Sequence, residues 1–433
     1  MAKYKAYPEY KDSGVEWLGE VPAHWLIKKL KYLCKVQTGS RDTVNAVENG
    51  RYPFFVRSQT IERINSVGAE CEAVLTAGDG VGVGKVYHYY DGKFDFHQRV
   101  YMLNEFHSIT GKFVYYYLSS NFYKVALEGN AKSTVDSLRL PQFLNFEFSI
   151  PNLDEQKNLI LFIEHETAKI DNLIEKQHQL IELMKEKRQA VISHAVTKGL
   201  NSDVPMKNSG VEWLGEVPEH WKLIKFNHCV SIRSGQVDPR KSPYCDYWLI
   251  APNHIVSGEG RIINLETAKD QGADSGKYLC RTGEVIYSKI RPALVKACLS
   301  PSDTVLCSAD MYPMSSYNGL TNNFLLLYLL SDAFTRFAVN QADRVAMPKI
   351  NRESLSDCKI PVPPIEEQEK IYSHARETLE KLDILLQESQ LTIELLRERR
   401  TALISAAVTG KIDVRDWVAP DAQDVEESQE ATA

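Results

Sequence analysis

The chain lacks the features that would place it in several large protein classes. Its 433 residues include eight cysteines, and no two of them form a Cys-x-x-Cys pair, so neither a disulfide framework nor a zinc site is indicated. No apolar run approaches the roughly 18 residues that a membrane-spanning helix needs. The first residues lack the apolar core of a signal peptide. We therefore expect a cytoplasmic protein that does not interact with a membrane and that binds no metal.

Recognisable catalytic motifs are also missing. Residues 78–85 are rich in glycine, but a phosphate-binding loop needs glycine where Asp79 stands and serine or threonine where Val86 stands. The alternating glycines do not fit the dinucleotide-binding pattern either, so a turn between strands is the simpler interpretation. The sequence has no NPP[FY] motif, no glycine-rich S-adenosylmethionine loop, no HExxH and no convincing nuclease motif. The chain is therefore predicted to be non-catalytic.

No part of the globular sequence carries a strong charge of one sign. Residues 413–433 contain one arginine and seven acids, which accounts for the formal net charge of −6. Residues 20–150 and 216–360 each have a small excess of +2. The acidic tail has the composition of a disordered segment. Mild basicity of the rest permits DNA binding, but it fits an ordinary soluble domain equally well.

What the sequence does have is an internal duplication. Residues 13–22, SGVEWLGEVP, recur letter for letter at residues 209–218, and each copy is followed by His-Trp. Further along, an Ile-Pro pair and an acidic-Glu-Gln triplet introduce a long charged segment in both copies. A period of about half the chain excludes a solenoid of short units. It indicates an internal pseudo-dimer, which suits a target with two half-sites or two copies of one partner.

Each copy ends in a predicted long helix. Acidic residues open both segments, where the helix dipole favours them, and apolar residues recur at helical spacing for more than 40 residues. A helix of that length spans roughly 65 Å and is not stable alone. We expect the two helices to pair as an antiparallel coiled coil. The alternative is that each helix packs on its own domain.

The predicted organisation is α+β, with two globular domains that alternate with the two helices. Within the domains the copies diverge, although short matches persist, such as LTAGD at residues 75–79 beside CRTGE at residues 280–284. One scaffold is thus expected to carry two different surfaces. The predicted segments are a first domain at 1–151, a first long helix at 152–198, a linker and start of the second repeat at 199–215, a second domain at 216–361, a second long helix at 362–411 and an acidic disordered tail at 412–433.

The duplicated motifs resemble the specificity subunit of type I restriction–modification systems. The resemblance rests on the two VP-x-HW motifs at residues 21–25 and 217–221, on the two Ile-Pro and acidic-Glu-Gln helix starts, and on residues 283–292. It covers nearly the whole chain except the acidic tail. It implies two similar target-recognition domains, each reading one half of a split asymmetric DNA sequence, held apart by the paired helices in an internal pseudo-twofold repeat.

The resemblance also implies partners and leaves alternatives. The helices would dock two modification subunits, which methylate adenine, and the assembly would recruit restriction subunits that act as motor and nuclease. S-adenosylmethionine, ATP and Mg are expected on those partners, and no cofactor on this chain. The recognition subunit of a type IIB-like restriction enzyme would share this architecture. A coiled-coil scaffold that binds only protein is a further alternative, which the unlike globular domains disfavour.

Candidate contacts follow from the chemistry of DNA recognition. Arg or Lys suits guanine and Asn or Gln suits adenine in the major groove, and basic groups on phosphates add affinity. The candidate DNA-binding residues are Arg57, Gln59, Lys85, Gln98, Arg99 and Arg139 in the first domain and Asn253, His254, Lys289, Arg291, Lys296, Arg344 and Lys349 in the second. Basic clusters near both helix ends are candidate partner-docking sites or simply solvated faces: Lys185, Lys187, Arg188, Arg397, Arg399 and Arg400.

Overall fold

A computed structural model of the chain describes residues 4–126, 138–342 and 348–418. The chain divides into two compact units: unit 1 comprises residues 1–177 and 391–433, and unit 2 comprises residues 178–390. Each unit therefore holds one globular domain, the first part of the helix that follows it and the last part of the other helix. Within the described residues, no helix is both long and apolar enough to span a membrane.

Unit 1 is an α+β structure built on one large sheet. Its strands are β1 (Tyr10–Asp12), β2 (Glu20–Pro22), β3 (Leu26–Lys29), β4 (Lys35–Thr38), β5 (Tyr52–Phe55), β6 (Glu62–Ile64), β7 (Ala69–Ala77), β8 (Tyr87–Phe96), β9 (Val100–Asn104) and β10 (Glu147–Ile150). Its helices are α1 (Gly111–Asn121), α2 (Tyr123–Ala126), α3 (Leu140–Leu144) and the first part of α4 (Leu153–Lys198). The six-stranded sheet has the order β4-β9-β7-β8-β5-β6, and only β5 and β8 pair in parallel.

Unit 2 repeats this frame with the sheet divided in two. Its strands are β11 (Met206–Asn208), β12 (Glu216–Pro218), β13 (Lys222–Lys225), β14 (Val230–Ile232), β15 (Trp248–Ile250), β16 (Tyr278–Cys280), β17 (Val285–Ser288), β18 (Ala297–Leu299), β19 (Val305–Cys307), β20 (Met311–Ser316) and β21 (Lys359–Val362). Its helices are α5 (Asn322–Leu330), α6 (Asp332–Gln341), α7 (Arg352–Ser356) and the first part of α8 (Ile365–Val408). The sheets have the orders β14-β20-β17-β18 and β15-β19-β16.

The hydrogen-bond register identifies which strands of the two units are equivalent. In unit 1, β7 lies between β9 and β8, and Val74 is opposite Leu103. In unit 2, β17 lies between β20 and β18, and Val285 is opposite Met314. The match of residues 75–79 with 280–284 is therefore wrong. In unit 1 the Gly-acid pair, residues 78–79, follows β7, whereas in unit 2 the pair at residues 283–284 precedes the equivalent strand β17.

The repeated His-Trp and acidic-Glu-Gln motifs form the same joint in both units. In unit 1, the Glu155 carboxylate accepts a hydrogen bond from Trp25 Nε1 at 3.0 Å and contacts His24 Nε2 at 2.9 Å. In unit 2, the equivalent carboxylate of Glu367 accepts from Trp221 Nε1 at 3.1 Å and contacts His220 Nε2 at 2.8 Å. The joint fastens the start of each long helix to the start of its own domain, which explains why these residues are repeated.

The glutamine of each motif fixes a second helix. Gln156 Oε1 accepts from the backbone N–H of Thr110 at 2.9 Å, and Gln368 does the same with Thr321. These two threonines are the N-caps of α1 and α5, and their side chains accept from the N–H of Phe113 and Phe324. Each long helix is thereby tied to the helix that packs on the central sheet.

The long helices run antiparallel, as predicted. In unit 1, Arg400 of α8 donates to Asp171 of α4 at 2.8 Å, and in unit 2, Arg188 of α4 pairs with Asp383 of α8. The second contact lies 17 residues later in α4 and 17 residues earlier in α8. Asp171 and Asp383 are equivalent positions of the two copies, and so are Arg188 and Arg400. In one contact α8 supplies the arginine, and in the other α4 supplies it.

The start of the predicted disordered tail is instead part of the unit 1 core. Ile412 is 4% exposed and Val414 is 1% exposed, and the ring of Trp417 lies 5.5 Å from that of Phe162. The acidic composition after residue 412 hid these three apolar side chains. Residues 419–433, which hold most of the predicted tail, lie outside the described residues.

Candidate nucleic-acid interface

An equivalent loop leaves the central sheet of each unit. Loop 1 (residues 78–86) joins β7 to β8, and loop 2 (residues 289–296) joins β17 to β18. Each loop contains one 3₁₀ turn, at Gly80–Gly82 in loop 1 and at Pro292–Leu294 in loop 2. Because the flanking strands correspond in register, the two loops occupy the same place on the same frame.

Main-chain hydrogen bonds hold both loops in the same way. The first residue of loop 1, Gly78, donates to Arg99 O at 2.8 Å and accepts from Leu138 N at 2.9 Å. The first residue of loop 2, Lys289, donates to the carbonyl of residue 310 at 3.0 Å and accepts from the N–H of residue 350 at 2.9 Å. The backbone is therefore fixed by the frame, and the side chains are left to vary.

Two arginines share one carboxylate at loop 1. Arg57 Nη1 donates to Asp79 Oδ1 at 2.8 Å, and Arg99 Nη1 donates to Asp79 Oδ2 at 2.7 Å. The side chains of Arg57 and Arg99 are 40% and 58% exposed, whereas that of Asp79 is 18% exposed. Partial burial acts to raise the pKa of Asp79, but the hydrogen bonds and charges of both arginines outweigh it and lower that pKa below its usual value. The carboxylate is therefore ionised at neutral pH.

The other predicted contacts of the first domain lie around the same loop. Gln59 Nε2 donates to Lys85 O at 3.1 Å, and Arg139 is exposed directly after the residue that bonds to Gly78. Gln98, which precedes Arg99, donates to Asp42 at 2.7 Å. The structure thus places all six predicted residues of the first domain in loop 1 or in segments next to it, and their DNA contacts remain a prediction.

Sequence reasoning missed the most exposed apolar side chain of loop 1. Val81 stands at the 3₁₀ turn with 87% of its surface exposed. The turn needs its glycines, because a Cβ on Gly82 would lie 2.7 Å from Arg57 O and Gly80 has a φ of +75°. A cavity of about 370 Å³ opens beside it, lined by Thr43, Val56, Arg57, Ser58, Glu62, Asp79, Gly80, Val81 and Gly82.

Four of the predicted contacts of the second domain belong to loop 2 or pair with it. Lys289 Nζ donates to Ala309 O at 2.7 Å, and Lys296 Nζ donates to Pro252 O at 2.7 Å. Lys349 is exposed, and its backbone forms an isolated β-bridge with Ile290 of loop 2. Arg291 is also exposed and has a φ of +47°, a conformation that non-glycine residues rarely adopt. Strain of this kind often marks a functional site.

The remaining predicted contacts of the second domain divide into three cases. Asn253 is exposed and follows the carbonyl that holds Lys296. His254 is only 5% exposed and its Nδ1 accepts from Ala251 N at 3.1 Å. His254 is therefore corrected to a core residue, because its ring cannot reach a base edge from this position. Arg344 lies outside the described residues.

The predicted docking residues also need one correction. Arg188 is 7% exposed, pairs with Asp383 and donates to Glu259 O at 3.3 Å, so it holds the helix pair together and is not available to a partner. Arg400 has the same pairing role on the other helix but stays partly exposed. The other four predicted docking residues are exposed: Lys185, Lys187, Arg397 and Arg399.

Arg397, one of these exposed basic residues, lines a groove within unit 1. It has a volume of about 530 Å³ and is lined by Ser120, Tyr123, Arg397, Glu398, Thr401, Ala402, Ser405, Ala406 and Lys411. Its small side chains allow close approach of another chain. Across the described part of the chain, no three His, Cys, Asp or Glu side chains come together as a possible metal site.

Comparisons with known proteins agree with this arrangement. Residues 22–183 and 218–396 match the family described as the type I restriction modification DNA specificity domain. The chain is 29% identical to the type I restriction enzyme EcoDI specificity subunit of Escherichia coli over 409 residues, which are 91% of this chain and 90% of that protein. It is 22% identical to the type I restriction enzyme MjaVIII specificity subunit of Methanocaldococcus jannaschii over 422 residues, which are 92% and 95% of the two chains.

Solved structures show the same fold at low sequence identity. A chain from a study of complex assembly and conformational transition of the type I R-M system has a TM-score of 0.66 at 14% identity and covers 90% of this chain and 99% of its own length. The HsdS subunit from Thermoanaerobacter tengcongensis has a TM-score of 0.50 at 14% identity, with coverages of 90% and 98%. With two matching domains that together span most of its length, the chain belongs to the family of type I restriction–modification DNA specificity subunits.

Proposed function

We propose that this chain is the DNA sequence-recognition subunit of a type I restriction–modification complex and that loops 1 and 2 read the two halves of a bipartite, asymmetric target. The observation that carries the proposal is that equivalent loops present unlike side chains. Loop 1 lies beside two arginines held by a carboxylate, whereas loop 2 carries lysines held by main-chain carbonyls. Two different half-sites require different base-reading side chains, and here such side chains are carried by two similar backbone structures.

The side chains at each loop suit both tasks of DNA recognition. Guanidinium and ammonium groups bind phosphates and supply affinity that falls with salt. Arg and Lys also read guanine, and Gln and Asn read adenine, in the major groove. Val81 adds an apolar contact of the kind that a thymine methyl group accepts. The net charge of the whole chain is no obstacle, because its acidic excess lies in residues 413–433.

The helices offer two equivalent surfaces for partner subunits. Leu183 is 60% exposed and Leu395 is 56% exposed, although apolar side chains on a paired helix are usually covered. Each leucine is followed at the same spacing by two exposed basic residues: Lys185 and Lys187 on α4, Arg397 and Arg399 on α8. Exposed apolar side chains rimmed by charge are typical of protein–protein sites. We assign these surfaces to two modification subunits, one on each unit.

The chemistry of the complex would belong to the partners. Modification subunits would hold S-adenosylmethionine and methylate adenine, and recruited restriction subunits would hold ATP and Mg. This chain would bind none of these cofactors and would contribute the choice of target. Its family members are specificity subunits, which supports this division of labour.

Mapping of methylated adenines tests the proposal. Cells that carry this chain with its modification subunit are compared with cells that carry the modification subunit alone. We expect one asymmetric motif with two specified parts and an unspecified gap, present only when this chain is present. Absence of any motif, or a motif that does not depend on this chain, would contradict the proposal. Cleavage on both sides of the motif by the purified complex would instead identify a type IIB-like enzyme.

A further inference from the structure

Asp79 pairs with two arginines at once, whereas an ordinary surface ion pair joins one acid to one base. Each of its oxygens accepts from a different guanidinium, at 2.8 Å from Arg57 and at 2.7 Å from Arg99. The carboxylate is much less exposed than either arginine. The cluster keeps a net charge of +1, and its positive side chains face solvent while its acid is recessed.

The backbones of both arginines also contact loop 1. The carbonyl of Arg99 accepts from Gly78 N at 2.8 Å. The carbonyl of Arg57 lies so close to Gly82 that a Cβ there would be 2.7 Å away. The backbone and the side chain of each arginine therefore both contact the same short loop. The conformational entropy that two long side chains would lose on binding is largely lost already on folding.

The bonds to Asp79 leave donors for a ligand. An arginine has five N–H donors in a rigid fork, and here one Nη1 of each side chain donates to the carboxylate. A fixed fork matches the paired acceptors O6 and N7 of guanine. Phosphate binding would need no such preset orientation, and a nearby carboxylate would weaken it. The geometry therefore favours base reading over backbone contact.

Resting on the proposed function, we propose that Asp79 is a positioning residue that holds Arg57 and Arg99 as a paired reader of guanine in the half-site of unit 1. Asp79 itself does not contact DNA. Loop 2 uses a different arrangement, in which lysine ammonium groups are held by the carbonyls of Ala309 and Pro252. The contribution of Asp79 is therefore confined to one half-site.

The test uses Asp79→Asn in the complex purified with its modification subunits. The amide keeps the size of the side chain but loses the charge and one of the two acceptors. The wild-type and variant complexes select binding sites from duplexes in which both half-sites are randomised. We expect the wild type to select guanine and the variant to lose this preference by about tenfold. We also expect tighter binding to non-specific duplex, because the arginine charges are no longer offset.

Glu105→Gln is the matched control. Glu105 is an exposed acid that pairs with Lys35 at 3.1 Å beyond the far end of β9, so the same change of charge there should leave base preference unaltered. Arg57→Lys with Arg99→Lys is a second variant, which keeps both charges but removes the forks. It should lose the guanine preference even where the Asp79 variant folds poorly.

Three outcomes separate the possible failures. If either variant keeps the wild-type guanine preference, the positioning role of Asp79 or the guanine assignment is wrong, while the proposed function stands. If the Asp79 variant changes both half-sites, its effect is structural and the inference is also wrong. If the wild-type complex selects no sequence at all, the proposed function itself fails.

Discussion

At the scale of single residues, identical side chains in the two units have different surroundings. Glu155 is 4% exposed and also accepts from Tyr7 OH at 2.6 Å, a bond that together with burial raises the pKa of Tyr7. Within the described residues, its counterpart Glu367 has only the His and Trp partners, and its side chain is 30% exposed. The repeat therefore supplies a matched pair of carboxylates that differ in burial and in one hydrogen-bond partner.

Glu155→Gln should destabilise the protein more than Glu367→Gln. The buried carboxylate loses charge-assisted bonds to three partners, at a cost of about 3 kcal/mol, whereas the more exposed one should cost about 1 kcal/mol. Chemical denaturation of the two variants measures the difference. Equal losses would mean that the tyrosine and the deeper burial add nothing to the joint.

Substitution of Arg291 by glycine should change the stability of the fold and its binding to DNA in opposite directions. Its φ of +47° is strained for arginine and free for glycine, so Arg291→Gly should stabilise the fold by about 1 kcal/mol. The same change removes an exposed cation from loop 2 and should weaken DNA binding. Thermal melts and binding isotherms at one salt concentration test both signs. A variant that is less stable and still binds as tightly would show that loop 2 is a structural turn.

At the scale of elements, the helix pair is held by two contacts that the repeat makes equivalent. The Arg188 side chain is 8% exposed in its pair with Asp383, and the Arg400 side chain is 38% exposed in its pair with Asp171. Removal of one partner from a buried pair leaves an uncompensated charge, whereas exposed pairs contribute little. The same contact should thus matter more in unit 2 than in unit 1.

Asp383→Ala should cost about 3 kcal/mol of unfolding free energy, because it leaves the buried Arg188 guanidinium without its acidic partner. Asp171→Ala, which leaves the more exposed Arg400, should cost less than about 1 kcal/mol. Denaturation midpoints with unchanged slopes provide the comparison. A larger loss from Asp171→Ala than from Asp383→Ala would contradict the burial argument.

Sequence predicted the long helices better than the loops. The helix starts and the antiparallel pairing were predictable because the same letters repeat and apolar spacing reveals helices, whereas the contact between the repeated His-Trp pair and the helix start was found only in the structure. The equivalence of loops 1 and 2 was not predictable, because strand register is set by long-range pairing and the matching Gly-acid letters at 78–79 and 283–284 fall at opposite strand ends. Burial of His254 and Arg188 was hidden too, since residue type alone does not show which neighbours cover a side chain.

At the scale of the whole molecule, two docking surfaces predict a stoichiometry. Leu183→Asp or Leu395→Asp places a charge in the middle of one proposed surface. Each single variant should retain one modification subunit, and the double variant none. Native mass spectrometry of the co-purified complexes gives the counts. Loss of both partners from a single variant would show that the two surfaces are not independent.

The central claim is that loops 1 and 2 read separate halves of one target. The most direct measurement maps adenine methylation in cells whose chain carries either Arg57→Ala with Arg99→Ala or Arg291→Ala with Lys349→Ala. All four side chains are at least partly exposed, so folding should be preserved. The first variant should relax base preference in one half of the motif only, and the second in the other half only. Relaxation of both halves by either variant, or of neither by both, would contradict the account.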